Sequence, residues 1–343
     1  MDGFLDLSAE DRREACLEVE ARMRLRAASI EKDFWVCWTL RALFELGDWG
    51  PRLTFKGGTS LSKAWQLIER FSEDIDVVID RDFLGFGAER SPHRATSRNK
   101  QRQSLDALKA ACQARIQDSL LPALAASIAS RIGDGGWHLA SDPADPDGQT
   151  LLLDYPSVFE PQTYIAPRVK IELGARSDVD PNETVEIEPY LASIFPDLLT
   201  PSRFPVRVVS ARRTFWEKAM LLHEEHHRPS DRKRLTRLSR HYYDLACLIR
   251  AGVADQALAD PELFERVLAH RRIYFRYAWM DYGSMKPGTL RLLPADSERG
   301  AWTRDYEAMQ ETMFFREVLK FAEILELVGD FERRFNANAG GGL

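Results

Sequence analysis

Apolar positions along this chain recur with two periods, and the change from one to the other divides it into elements. Between residues 8 and 48 the spacing is helical and predicts two helices. The first is charged and amphipathic (Leu17, Val19, Met23, Leu25), and the second opens near Ser29 and carries Ile30, Phe34, Trp35, Trp38, Leu40 and Leu43. Leu53-Thr54-Phe55 forms an apolar approach to a break at Lys56-Gly57-Gly58. After it, Leu61, Ala64, Trp65 and Ile68 predict a helix that Thr59 or Ser60 would cap. Beyond Arg70 the period drops to two: Ile75, Val77 and Ile79 alternate with Asp74, Asp76, Val78 and Asp80, as in a strand.

Residues 84–103 hold Arg90, Arg94, Arg98, Lys100 and Arg102 among Gly, Ser and Asn, and read as a mobile loop or a solvated charge run. A long helix is expected from about Ser104 to Arg131, kinked or split at Pro122 and stopped by the glycines at 133–136. Thr150–Tyr155 and Arg168–Leu173 bracket a Pro-containing turn and predict a hairpin. Residues 176–210, with five prolines, read as a loop-rich crossing between lobes. Ser210 or Thr214 then caps a helix running to about His227, and another runs from about Arg234 to Arg250, closed by Gly252. The remainder is helical with aromatic clusters, and 339–343 is expected to be a disordered tail.

Composition narrows this picture without redirecting it. With 343 residues the chain can bury a large core, and its charged and apolar fractions are ordinary for a soluble globular protein. A formal net charge of −6 argues against a protein that coats nucleic acid generally, but not against a local basic groove. Cys16, Cys37, Cys112 and Cys247 have no metal-ligand spacing and fit a reducing compartment. The start shows no basic-then-apolar signal and no run reaches membrane-spanning length, so a cytoplasmic protein without membrane partners is expected.

The candidate chemistry centres on residues 54–80. A double glycine before a helix lets backbone N–H groups approach an anion, which points to Gly57, Gly58 and Thr59 as a phosphate side. Asp74 and Asp76, two apart on a strand, send both carboxylates to one face, about 7 Å apart at Cα. That pair suits Mg²⁺, a hard ion that completes its shell with water and substrate phosphates. Ser72 would line the phosphate side and shares the carboxylate face, and Lys63 on the helix after the glycines would meet phosphate or solvent. Gly-Gly or Asp-x-Asp alone is usually a turn or a solvated strand face. In the order strand, Gly-Gly, helix, Asp-x-Asp strand they point to nucleotidyl transfer.

Here the sequence resembles a known family. GGTSLSK followed by RFSEDID is similar to the signature of the AbiEii/MenT-type nucleotidyltransferase toxins, within the DNA polymerase β-like nucleotidyltransferase superfamily. The likeness extends to EKDFWVCWTL, RTFWEKAMLLH and RHYYDLACL. It implies an α/β (α+β) fold: N-terminal helices over 1–45, a nucleotidyltransferase core with a small mixed sheet over 46–200, and a helical C-terminal lobe over 201–338. It also implies that Glu31-Lys32-Asp33 helps build the site and that Glu172 is a third carboxylate. Lys218 would act at the triphosphate, and Asp244 would orient Lys218 or the attacking hydroxyl.

By spacing alone, Lys218 reads as a snorkelling surface lysine, Glu172 as a solvent-facing residue, and Asp244 as a surface partner of Arg240. The family further implies an NTP substrate, Mg²⁺, a separately encoded antitoxin, a role in phage defence, and the tRNA 3′ end as acceptor, blocking translation. A protein or small-molecule hydroxyl as acceptor, and a nucleotide-binding partner with decayed catalysis, are the alternatives.

Two further features need weighing. Basic residues dominate from Ser202 to Arg240, which makes Arg213, Arg237 and Arg240 candidate RNA contacts or part of a solvated basic surface. His223-Glu224-Glu225-His226-His227 satisfies the H-E-x-x-H pattern of zinc peptidases. Its helix ends at once at Arg228-Pro229, and no third ligand follows at the usual spacing.

Overall fold

The computed structural model describes residues 1–23, 25–160, 166–314 and 318–338. The expected tail at 339–343 lies outside them, as do residues 161–165 of the Pro-containing turn. The chain forms two compact units. One comprises Met1–Ala64 and Phe71–Val209, and the other Trp65–Arg70 and Ser210–Leu343.

The first unit is built on a mixed seven-stranded sheet. In chain order its elements are α1 (Asp2–Leu5), α2 (Ala9–Met23), α3 (Ala27–Phe44), β1 (Leu53–Lys56), α4 (Gly57–Lys63), β2 (Ile75–Ile79), α5 (Arg98–Arg115), α6 (Leu121–Ile132), β3 (His138–Ser141), β4 (Thr150–Asp154), β5 (Arg168–Gly174), β6 (Asn182–Ile187) and β7 (Phe204–Val209). The strand order is β3-β4-β5-β2-β1-β7-β6. β1 pairs with β7, and β2 with β5, in parallel; every other neighbouring pair is antiparallel. α3 is buried almost all round, from Ala27 to Leu43, with apolar residues on most of its faces and its Glu31-Lys32-Asp33 turn buried among them. Trp35 stacks on Tyr155 at the end of β4 with ring centroids 5.1 Å apart.

Several expectations shift. The long helix begins at Arg98, inside the stretch read as a loop, and a single π turn at Ile116–Leu120 separates α5 from α6. Ser97 caps it by accepting from the Lys100 N–H. Pro122 sits in the first turn of α6, where no backbone N–H is needed. β6 and β7 occupy part of the segment read as a crossing loop. β6 is an edge strand with largely exposed polar side chains, so it lacks the apolar alternation that marks a strand. α4 stops at Lys63, and Trp65 and Ile68 belong to the segment that joins the second unit.

The second unit is helical: α7 (Ala211–His226), α8 (Arg240–Arg250), α9 (Val253–Leu258), α10 (Pro261–Tyr274), α11 (Arg299–Met313) and α12 (Phe321–Ala337). Trp216 of α7 meets Phe264, Phe331 and Phe335 edge-on or tilted, so α7, α10 and α12 share one aromatic core. Ser210 caps α7, accepting from the Arg212 N–H. α8 begins six residues later than its sequence suggests, because Arg237 adopts a left-handed conformation (φ +63°) that no helix accommodates. Among the described residues no helix is long and apolar enough to cross a membrane.

Candidate active site

Strand register gathers the acidic residues of the first unit. Antiparallel pairing sets Lys56 of β1 opposite Asp76 of β2, and parallel pairing sets Asp76 opposite Glu172 of β5. Paired positions on neighbouring strands present their side chains to the same face. Lys56, Asp76 and Glu172 therefore form a row, and Asp74 stands at the entrance to β2. Asp76 is hydrogen-bonded to Glu172, which also pairs with Lys170 two residues before it. Burial, then Glu172, push the Asp76 carboxyl from its ordinary 3.8 up to about 7, and Asp74 adds to the effect. Burial, then Glu172 and Glu73, raise Asp74 in the same direction. Among the described residues no group of three or more His, Cys, Asp or Glu side chains is placed to hold a metal ion.

Gly57 shows why the glycine is needed. Its backbone is left-handed (φ +79°), and a Cβ there would lie 1.9 Å from Asp76 Oδ2. The bare Cα leaves room for the carboxylate, a constraint absent from a reading of the glycines as a phosphate cradle alone.

Thr59 lies inside α4 rather than capping it. Its hydroxyl donates to the Asp74 carbonyl at 2.5 Å and accepts from the Ser72 hydroxyl at 2.8 Å. Thr59 and Ser72 thus pin the start of the Asp-x-Asp strand to α4. Ser60, the other expected cap, donates to the Gly57 carbonyl at 2.9 Å.

Lys63 meets neither phosphate nor solvent in this conformation. It is buried against Asp33 at 2.8 Å, with its ammonium 3.7 Å from the centre of the Tyr190 ring. Glu31-Lys32-Asp33 is likewise interior. Glu31 accepts from the Ser157 hydroxyl and the Val158 N–H, Lys32 pairs with Glu73, and Asp33 accepts from the Tyr190 N–H. Three consecutive side chains tie α3 to three separate segments of the first unit.

The second unit holds a buried triad. Arg70 grips Asp244 with both carboxylate oxygens, at 2.7 and 2.9 Å, and Lys218 reaches the same carboxylate at 2.8 Å. Lys218 also lies 3.4 Å from His241 Nδ1. Burial pushes Asp244 upward, but the Arg70 guanidinium and Lys218 ammonium hold it well below the usual carboxylate range. Lys218 and Asp244 are therefore core residues, not a snorkelling lysine and a surface partner of Arg240. Sequence reasoning missed Arg70. Its signal was a lone cation ending the apolar run Trp65–Ile68, four residues before Asp74.

The three basic candidates separate. Arg213 is completely buried and bound to Glu217 at 3.0 Å, which corrects its expected RNA contact: a guanidinium in the core is not presented to a ligand. Arg237 is exposed, its N–H held by Asp305, and Arg240 is half-buried.

The H-E-x-x-H residues are occupied structurally. Arg291 N–H donates to His223 Nδ1 at 2.8 Å, which leaves Nε2 to bond the Ser284 hydroxyl at 3.0 Å. Burial pushes His223 down to about 3. Glu224, the base such an enzyme would need, pairs with Arg271 and accepts from Tyr282.

A family model described as the nucleotidyl transferase AbiEii toxin of type IV toxin–antitoxin systems matches residues 38–327. A comparison with curated proteins finds no match. Among solved structures, the chain is similar to MenT4, a nucleotidyltransferase toxin from Mycobacterium tuberculosis. The identity is 16%, over 96% of this chain and 97% of that one, with a TM-score of 0.41.

Two outcomes follow from the crowded carboxylates. With its pKa raised, Asp76 binds a proton more tightly in the folded chain than in the unfolded one. Its contribution to stability is therefore present below about pH 4 and lost as pH climbs towards 7. In chelator-treated protein at pH 8, Asp76→Asn should raise the melting temperature by about 3 °C or more; a lower melting temperature contradicts the crowding. Gly57→Ala should cost about 1–3 kcal/mol in urea unfolding, through the forced left-handed backbone and the contact with Asp76. An unchanged midpoint would show that this close approach is absent.

Proposed function

The chain belongs to the AbiEii nucleotidyltransferase toxin family, and from that premise we propose that it moves a nucleoside monophosphate from an NTP to the hydroxyl of a tRNA 3′ end, with Asp74 and Asp76 holding Mg²⁺. The observation that carries this reading is the half-buried row of mutually repelling carboxylates formed by Asp74 at the entrance to β2, Asp76 on β2 and Glu172 on β5. Burial, then the Glu172 carboxylate, raise the affinity of Asp76 for a proton, and a divalent cation is the natural replacement for that proton. Asp74 and Asp76 are hard oxygen donors, and water and phosphate oxygens would complete an octahedral shell around them. The donor set fits the ion. Bound there, Mg²⁺ would neutralise charge around the α-phosphorus.

In the transfer, the acceptor hydroxyl releases its proton to solvent as its oxygen bonds to the α-phosphorus, the bond from that phosphorus to the bridging oxygen breaks, and pyrophosphate leaves. Thr59 and Ser72 keep Asp74 at the strand entrance, and Gly57 leaves space for Asp76. Glu172 stands as the third carboxylate, for the metal or the acceptor hydroxyl. Lys218 is assigned to charge on the departing phosphates by its motif, with Asp244 orienting it. Exposed Arg237 and half-buried Arg240 are the remaining candidates for RNA contact. The family implies a separately encoded antitoxin. A cytoplasmic setting and a role in phage defence complete the proposal.

Incubation with Mg²⁺, each α-labelled NTP in turn, and tRNA or whole lysate tests the reading. Label should enter RNA and disappear with chelator. Label in protein would favour a protein hydroxyl as acceptor, and no transfer with any NTP contradicts the proposal. Asp76→Ala should abolish transfer and growth arrest without unfolding the chain. Undiminished arrest would separate toxicity from this chemistry.

A further inference from the structure

The buried triad of the second unit has an unusual charge balance: two cations, Arg70 and Lys218, share the single carboxylate of Asp244. A lysine paired one-to-one with a buried aspartate is electrostatically spent, since the pair offers little net charge to a third group. Arg70 alters that. It uses its planar fork to take both oxygens of Asp244, the strongest geometry open to the pair, and Lys218 shares only one of them. On its other side Lys218 meets His241, whose ring burial keeps neutral and which lies at hydrogen-bond range. Arg240 adds further positive potential.

We propose that Arg70 is a positioning residue: it fixes the Asp244 carboxylate and absorbs much of its charge, so that Lys218 is held in place without being neutralised. The proposal rests on the reading of Lys218 as a phosphate partner, and it extends that reading to a residue outside the Lys218–Asp244 pair. The groups facing Lys218 are Asp244, His241 and Arg240 from α8, and Arg70 from the Trp65–Arg70 segment. Burial lowers the Lys218 pKa, Asp244 opposes this, and Arg70 with Arg240 reinforces it. Removing Arg70 leaves Asp244 to Lys218 alone, so the ammonium should hold its proton more tightly.

The test is NMR titration of the full-length protein with ¹³C-labelled lysines, the Lys218 signal being assigned by its loss in Lys218→Arg. In Arg70→Met the Lys218 midpoint should move up by about one pH unit or more, a tenfold tighter hold on the proton. A structural role alone would lower the melting temperature and leave this midpoint where it is, so an unmoved midpoint in folded Arg70→Met overturns the proposal. Arg70→Lys keeps the charge and loses the two-oxygen grip, which covers the case in which Arg70→Met does not fold. In that variant kcat for nucleotidyl transfer should fall at least tenfold with KM little changed, and wild-type kcat overturns the proposal. A shifted midpoint in a protein that transfers nothing would leave Arg70 governing Lys218 while sinking the transfer reading, so the two failures are distinguishable.

Discussion

Like charges brought together out of water are the constraint that shapes the first unit. Asp76 is half-buried, hydrogen-bonded to Glu172 and flanked by Asp74, with Lys56 opposite it as a partial offset. Val77 and Ile171, the adjacent residues along the two strands, turn to the other face of the sheet and are buried there. The backbone concedes further: Gly57 must be left-handed and bare for the Asp76 carboxylate to fit. Such local expense in an otherwise well-packed sheet supports the proposed cation site.

The surrounding structure holds this repulsion in place. Thr59 fastens the strand entrance to α4 through Asp74's own carbonyl, so the backbone that carries that carboxylate is held independently of its charge. Behind it, Asp33 and Lys63 form a buried pair, and removing either partner of such a pair typically costs about 3–5 kcal/mol. Glu31 and Lys32 tie the same helix to residues 157–158 and to Glu73, next to Asp74. Glu31-Lys32-Asp33 is therefore best understood as scaffolding for the acidic strand. The second unit applies the same logic to the opposite charge, with Arg70 and Lys218 buried around the single carboxylate of Asp244.

Much of this was legible in the residues. The switch from helical to alternating period after Arg70 located β2, and the motif order located the carboxylates. Local propensity did not reveal the tertiary commitments. Lys63 reads as a phosphate or surface lysine because its partner, Asp33, lies thirty residues away in sequence, and only the fold brings them together. Arg213 reads as part of a basic surface because its burial depends on packing in the helical unit. β6 escaped because an edge strand with exposed Glu183, Thr184 and Glu186 carries no apolar rhythm. Arg70 is hard to read for the opposite reason: it lies inside a recognisable motif in which the aspartates beside it carry the visible chemistry.

The central claim is that Asp74 and Asp76 share a divalent cation with a nucleotide. The most direct measurement is titration of the protein with Mn²⁺, followed by electron paramagnetic resonance, in the presence of a non-hydrolysable NTP analogue. The account predicts one or two tightly held ions per chain whose binding depends on the analogue and is lost in Asp74→Asn and Asp76→Asn. Ions that bind equally well to both variants, or a protein that holds the analogue and no ion, would contradict it.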